Sequence, residues 1–105
     1  MKELSPSEAA QRLNQDPDNN VLLDVREVPE LQVAAVDGAT HIPMGEIQAR
    51  MEEIDKSKAV LCMCHHGGRS AMVANFLESQ GYEVYNVSGG INVWSEEVDD
   101  SIPTY

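Results

Sequence analysis

The stretch from Ala59 to Gln80, AVLCMCHHGGRSAMVANFLESQ, constrains this chain more than any other. An apolar run of strand length ends at Cys64, two glycines follow within four residues, and a helical pattern begins near Arg69. A strand that turns tightly into a helix leaves the first amides of the helix without intrahelical partners. Those amides and the positive end of the helix dipole converge on whatever the loop encloses, which favours an anion. Here the loop opens with a thiol, and a thiolate is both an anion and the reactive form of cysteine.

The rest of the chain repeats the alternation of strand and helix. Ser5-Pro6-Ser7-Glu8 carries an N-cap, a proline at the first helical position and a glutamate three residues after the cap, so a helix is predicted from Pro6 to about Leu13. Val21 to Arg26 reads as a buried strand, Pro29 to Ala35 as a short helix, and Ala39 to Ile42 as a short strand stopped by Pro43. Ile47, Met51 and Ile54 predict a helix over 45–54. Met72, Val73, Phe76 and Leu77 mark the expected buried face of a helix from Ser70 that Gly81 ends. Tyr82 to Val87 is the last strand in this pattern, and Ile91, Val93, Trp94 and Val98 the last helix. Trp94 and Phe76 are expected in the core, while Tyr82, Tyr85 and Tyr105 read as edge or tail packing. This order predicts an α/β fold with a parallel sheet, helices on both faces and right-handed crossovers. Sites in such sheets gather at the carboxyl ends of strands. There the pattern places Asp24-Arg26-Glu27, the 64–70 loop and Ser88-Gly89-Gly90.

Size and charge narrow the function classes. A chain of 105 residues suits one domain, 1–105, with a core that needs neither disulfide nor metal. Seven basic against eighteen acidic residues give a net charge of −11, which argues against nucleic acid or an anionic membrane as partner. The start Met1-Lys2-Glu3-Leu4 has no apolar signal segment, and two cysteines one residue apart make no disulfide framework, so a reducing, cytoplasmic location is expected.

Several readings of the loop stand beside nucleophilic chemistry. Cys64 can be a buried structural thiol before an ordinary turn. Cys62, Cys64, His65 and His66 offer ligand atoms, but four within five residues can hardly wrap one tetrahedral ion, so no metal is expected. Cys62 shares a strand face with Cys64 and is either a packed thiol or a partner for an oxidised Cys64, the former favoured because a bridge so short is strained. His65 and His66 either assist an anionic donor or shape the loop wall, and the second is preferred. Arg69 can close the ring by hydrogen-bonding loop carbonyls or a bound anion. Asp24 and Arg26 are expected to steady the loop from the neighbouring strand end. His41 is read as a strand histidine satisfied by backbone.

Asp24-Val25-Arg26-Glu27, the loop Cys64-His65-His66-Gly67-Gly68-Arg69-Ser70, the run Val73-Ala74-Asn75-Phe76-Leu77 to Gly81-Tyr82, the Val87-Ser88-Gly89-Gly90-Ile91 to Trp94 signature and the Ser101-Ile102-Pro103-Thr104-Tyr105 ending together resemble a single-domain rhodanese, a sulfurtransferase. The resemblance implies a three-layer α/β/α fold with a five-stranded parallel sheet in the order 1-5-4-2-3. It implies a Cys64 persulfide that receives sulfur from a donor, thiosulfate or a low-molecular or protein persulfide, and yields it to a thiol or cyanide, without a cofactor. The amides of His65, His66, Gly67, Gly68, Arg69 and Ser70 then hold the charged sulfur. A rhodanese-fold module that relays or senses sulfur only with a protein partner is the alternative. A thiol phosphatase is the third reading. Fold-related cell-cycle phosphatases and arsenate reductases place five residues where this chain has four between Cys64 and Arg69, and the shorter ring suits one sulfur atom.

Overall fold

The computed structural model describes residues 1–105. In chain order it contains β1 (Lys2–Leu4), α1 (Pro6–Gln15), β2 (Asn20–Asp24), α2 (Val28–Val33), β3 (Thr40–His41), α3 (Ile47–Arg50), β4 (Ala59–Met63), α4 (Gly68–Ser79), β5 (Glu83–Val87) and α5 (Gly90–Glu97). The strands form one five-stranded sheet, β1-β5-β4-β2-β3, with every neighbouring pair parallel. This is the expected class and order. No helix is long and apolar enough to cross a membrane.

The central strand β4 is buried along its whole length, as a strand covered on both faces must be. Alternation along it divides the core. Val60, Cys62 and Cys64 point to one side and join Ile47 of α3 with Val73, Ala74 and Leu77 of α4. Leu61 and Met63 point to the other and join Ala9 of α1 with Ile91 and Trp94 of α5. α1 begins at the predicted capping box: the Glu8 amide donates to Ser5 Oγ at 3.1 Å, and the Ser5 amide to Glu8 Oε1 at 2.8 Å.

Four local expectations change. β1 is absent from the pattern reading because Lys2 and Glu3 are exposed on an edge strand, which leaves no apolar alternation to see. The helix expected over 45–54 is a four-residue α-turn between 3₁₀ turns at Met44–Glu46 and Met51–Glu53, with no side-chain cap at its start. Met72 is 62% exposed, and the buried face of α4 is Ser70, Val73, Ala74 and Leu77. Tyr82 is a core residue, its hydroxyl donating to the carbonyls of Met51 and Ile54.

Because Leu61 is fully buried on the central strand, Leu61→Ala should cost about 3 kcal/mol in a denaturant titration. A cost under about 1 kcal/mol would mean that this side of the sheet is not close-packed.

Candidate functional site

Cys64 follows β4 directly, at the carboxyl edge of the sheet, and its main chain is pinned before its side chain is considered. The Ile91 amide donates to the Cys64 carbonyl at 2.9 Å and the Asn92 amide to the His65 carbonyl at 3.4 Å, so the first turn of α5 holds the start of the loop. Gly90 makes this approach possible. Its φ is +61°, and a Cβ there would lie 2.3 Å from the Cys64 carbonyl oxygen. At the other end of the loop Gly67, at φ +114°, turns the chain into α4.

The thiol sits inside this turn, and Cys64 is only 1% exposed. The Gly67 amide donates to Sγ at 3.0 Å, and the Ser70 hydroxyl lies 3.3 Å away. That hydroxyl has one proton for three acceptors, since Asn86 Oδ1 at 2.5 Å and the Gly67 carbonyl at 3.2 Å are also in reach. A thiolate, as a charged acceptor, draws that proton toward sulfur. Asn86 is oriented by its own amide, which donates to the Gly67 carbonyl at 3.1 Å and to the Glu3 carboxylate at 3.2 Å.

Burial alone would raise the Cys64 pKa. Hydrogen bonds from the Ser70 hydroxyl and from the amides of Ser70, Gly67 and His66 outweigh it, so the thiol is more acidic than an ordinary cysteine. Cys62, two residues earlier on the same face, is pushed up to about 12 by burial, with the neighbouring Cys64 charge adding to the effect. The two thiols therefore differ in kind, and Cys62 is a packed strand residue.

Arg69 does not close the ring. Its guanidinium turns away from the loop carbonyls and pairs in bidentate fashion with Glu30 of α2, Nη1–Oε1 at 2.6 Å and Nη2–Oε2 at 2.8 Å. That partner lies 39 residues away, and no local pattern marks the contact. Arg69, then the Tyr105 hydroxyl, holds the Glu30 carboxyl far below the usual carboxylate range, against a burial effect that would raise it.

Asp24 and Arg26 lie at the end of the neighbouring strand and touch the loop through other residues. Both are buried and paired, Nη2–Oδ2 at 2.6 Å. Arg26 also donates to the Ala34 carbonyl at 2.9 Å, the Glu30 carbonyl at 3.3 Å and the Tyr105 hydroxyl at 3.0 Å. The pair thus braces α2 and reaches the 64–70 loop through Glu30, which holds Arg69, and through Tyr105, which stacks on His65. His41 bonds the Arg26 carbonyl at 2.6 Å, the backbone role expected of it.

Tyr105 and Glu30 were missed as site residues. The Tyr105 ring stacks on His65 at 3.7 Å, its hydroxyl donates to Glu30 Oε2 at 2.7 Å, and its carbonyl accepts from His65 Nε2 at 2.6 Å. His66 lies against His65 at 3.8 Å. The one sequence signal for Glu30 was its spacing of three from Glu27 across Pro29, a helix-start pattern that explains the residue without the site.

The sequence and the fold are similar to those of known proteins. The rhodanese-like domain model matches residues 5–97, and the chain belongs to that family. It is 36% identical over 97 residues to the putative sulfurtransferase YtwF of Bacillus subtilis, covering 92% of this chain and 93% of that protein. It is 40% identical over 74 residues to the thiosulfate sulfurtransferase GlpE of Tolumonas auensis, covering 70% of each. It is 41% identical over 99 residues to the chloroplastic rhodanese-like/PpiC domain-containing protein 12 of Arabidopsis thaliana, covering 87% of this chain and only 33% of that protein. Among solved structures, a rhodanese-like domain protein from Staphylococcus aureus superposes with a TM-score of 0.84 at 28% identity, over 100% of this chain and 99% of that one.

The lowered Cys64 pKa makes the thiolate dominant from a pH below the pKa of an ordinary cysteine thiol upward. The rate of alkylation at Cys64 by iodoacetamide should accordingly rise through an inflection below that value, with Cys62 unlabelled over the same range, and Ser70→Ala should move the inflection upward. Equal labelling of the two cysteines would contradict the hydrogen-bonding account.

Proposed function

We propose that this protein is a sulfurtransferase that carries a sulfane sulfur on Cys64. In the first half-reaction the Cys64 thiolate attacks the outer sulfur of a donor. With thiosulfate the S–S bond breaks and its electron pair leaves with sulfite; with a persulfide it leaves with the thiol. In the second half-reaction a thiolate or cyanide attacks the outer sulfur of the Cys64 persulfide, and Cys64 departs as the thiolate that began the cycle. The scheme is ping-pong and needs no general base and no cofactor, because each step exchanges one sulfur anion for another.

The observation that carries this reading is the thiol enclosed at the end of β4, with the Gly67 amide and the Ser70 hydroxyl directed at Sγ. The amides from His65 to Ser70 would hold the negative charge as it moves one atom outward to the added sulfur. Four residues between Cys64 and Arg69 make a ring suited to a single sulfur, and Arg69 is engaged by Glu30, which leaves phosphate without the cation that a phosphatase loop offers it. The name sulfurtransferase borne by two relatives supports the same class. The protein would work as one domain in a reducing compartment, on small donors and acceptors, with a sulfur-relay protein as a possible second partner.

Intact-mass measurement after exposure to thiosulfate or cysteine persulfide tests the assignment. The wild type should gain one sulfur and lose it to cyanide or excess thiol, while Cys64→Ser should gain none. Sulfur on the Cys64→Ser protein, or none on the wild type from either donor, would overturn it. Sulfur that loads but leaves only to a protein thiol would favour the relay module over the free enzyme.

A further inference from the structure

The chain has seven Lys and Arg side chains, and two, Arg26 and Arg69, lie at the carboxyl edge of the sheet where Cys64 opens. Lys2, Lys58 and Arg12 stand at or near the amino ends of strands, Lys56 lies over the Tyr82 ring, and Arg50 is held between Glu46 and Glu53. Both cations near the site are paired. Arg26 is buried against Asp24, and Arg69 has both terminal nitrogens on the Glu30 carboxylate. Glu30 is fixed in turn by the Tyr105 hydroxyl at 2.7 Å, and that hydroxyl accepts from Arg26 at 3.0 Å. The loop therefore meets an incoming donor with amide dipoles and neutralised cations, in a protein of net charge −11.

Donor classes feel this differently. Thiosulfate brings two negative charges, shared between the reacting outer sulfur and its sulfonate oxygens, and its leaving group is the sulfite dianion. A persulfide carried on a thiol brings the same reacting sulfur with at most one negative charge on its S–S terminus, and its leaving thiolate has one charge. Arg69 is the arginine of the loop that opens at Cys64, and Glu30 already neutralises it. A dianion must either displace Glu30 or remain unpaired in a site that excludes most water.

Resting on the sulfur-transfer reading above, we propose that Glu30 is the residue that sets donor class: by occupying Arg69 it directs the site toward persulfides carried on thiols and away from inorganic thiosulfate. Tyr105 acts through it, as a positioning residue. The GlpE relative, named for thiosulfate, makes that dianion the comparison that matters.

The test measures how fast reduced protein gains one sulfur at Cys64, by mass spectrometry at low ionic strength, from thiosulfate and from cysteine persulfide. The wild type should load faster from the persulfide by on the order of tenfold. Glu30→Gln frees Arg69 and should move the ratio toward thiosulfate by a similar factor, a gain that added salt erases. The double variant E30Q/R69Q, which removes the freed cation, should lose the gain. Tyr105→Phe leaves the Asp24–Arg26 pair in place and should shift the ratio in the same direction by less, which keeps the test alive if Glu30→Gln folds poorly. An unchanged ratio in folded Glu30→Gln, a gain that persists in the double variant, or faster wild-type loading from thiosulfate would each overturn the assignment while leaving Cys64 as the sulfur carrier. Absence of loading from both donors would overturn the sulfur-transfer reading and this one with it.

Discussion

The hydrogen bond from the Gly67 amide to Cys64 Sγ organises the carboxyl edge of the sheet, because satisfying it requires the loop to double back on its own first residue. That geometry holds only if both ends of the loop are fixed. At the start, β4 is the central strand and α5 grips the carbonyls of Cys64 and His65. At the end, Gly67 turns into α4, whose buried residues Val73, Ala74 and Leu77 lock it to the sheet face that carries Cys62 and Cys64. Packing thus becomes electrostatics: the core sets where the amides point, and the amides decide that a buried thiol is acidic when burial alone would make it the opposite.

Around the loop a second network is built entirely from polar contacts. Asp24, Arg26, Glu30, Arg69 and Tyr105 form a continuous chain of bonds between 2.6 and 3.0 Å from the end of β2 to the first turn of α4. α2 has no buried residue of its own, and this chain ties it to the domain through Glu30. A buried ion pair such as Asp24–Arg26 adds little net stability over an apolar replacement, and its value here is directional. It presents Glu30 to Arg69 and so controls how much positive charge a donor meets.

The parallel α/β architecture was legible because each apolar run and each helical stripe reports a local period. β1 was not, since an exposed edge of Lys-Glu-Leu carries no period, and the strand count and order came from family resemblance. The thiol and its cradle were legible for the same reason as the fold: Cys64, Gly67 and Ser70 lie within seven consecutive residues, and strand-turn-helix geometry brings them together. The Glu30 partner of Arg69 and the Tyr105 partner of Arg26 have no local signal, and Glu30 and Tyr105 were overlooked. Those contacts span 39 residues between Arg69 and Glu30 and 79 between Arg26 and Tyr105, and nothing local encodes them. Met72 was assigned to the core by helical spacing alone, which cannot tell a stripe facing the sheet from one turned beside it.

The most direct test of the whole account is the crystal structure of the protein after reaction with cysteine persulfide. It should show one added sulfur about 2.05 Å beyond Cys64 Sγ, enclosed by the amides of residues 65–70, with Glu30 still on Arg69. Added density on Cys62, or a loop that holds a tetrahedral oxyanion on a freed Arg69 and leaves Cys64 unmodified, would contradict it.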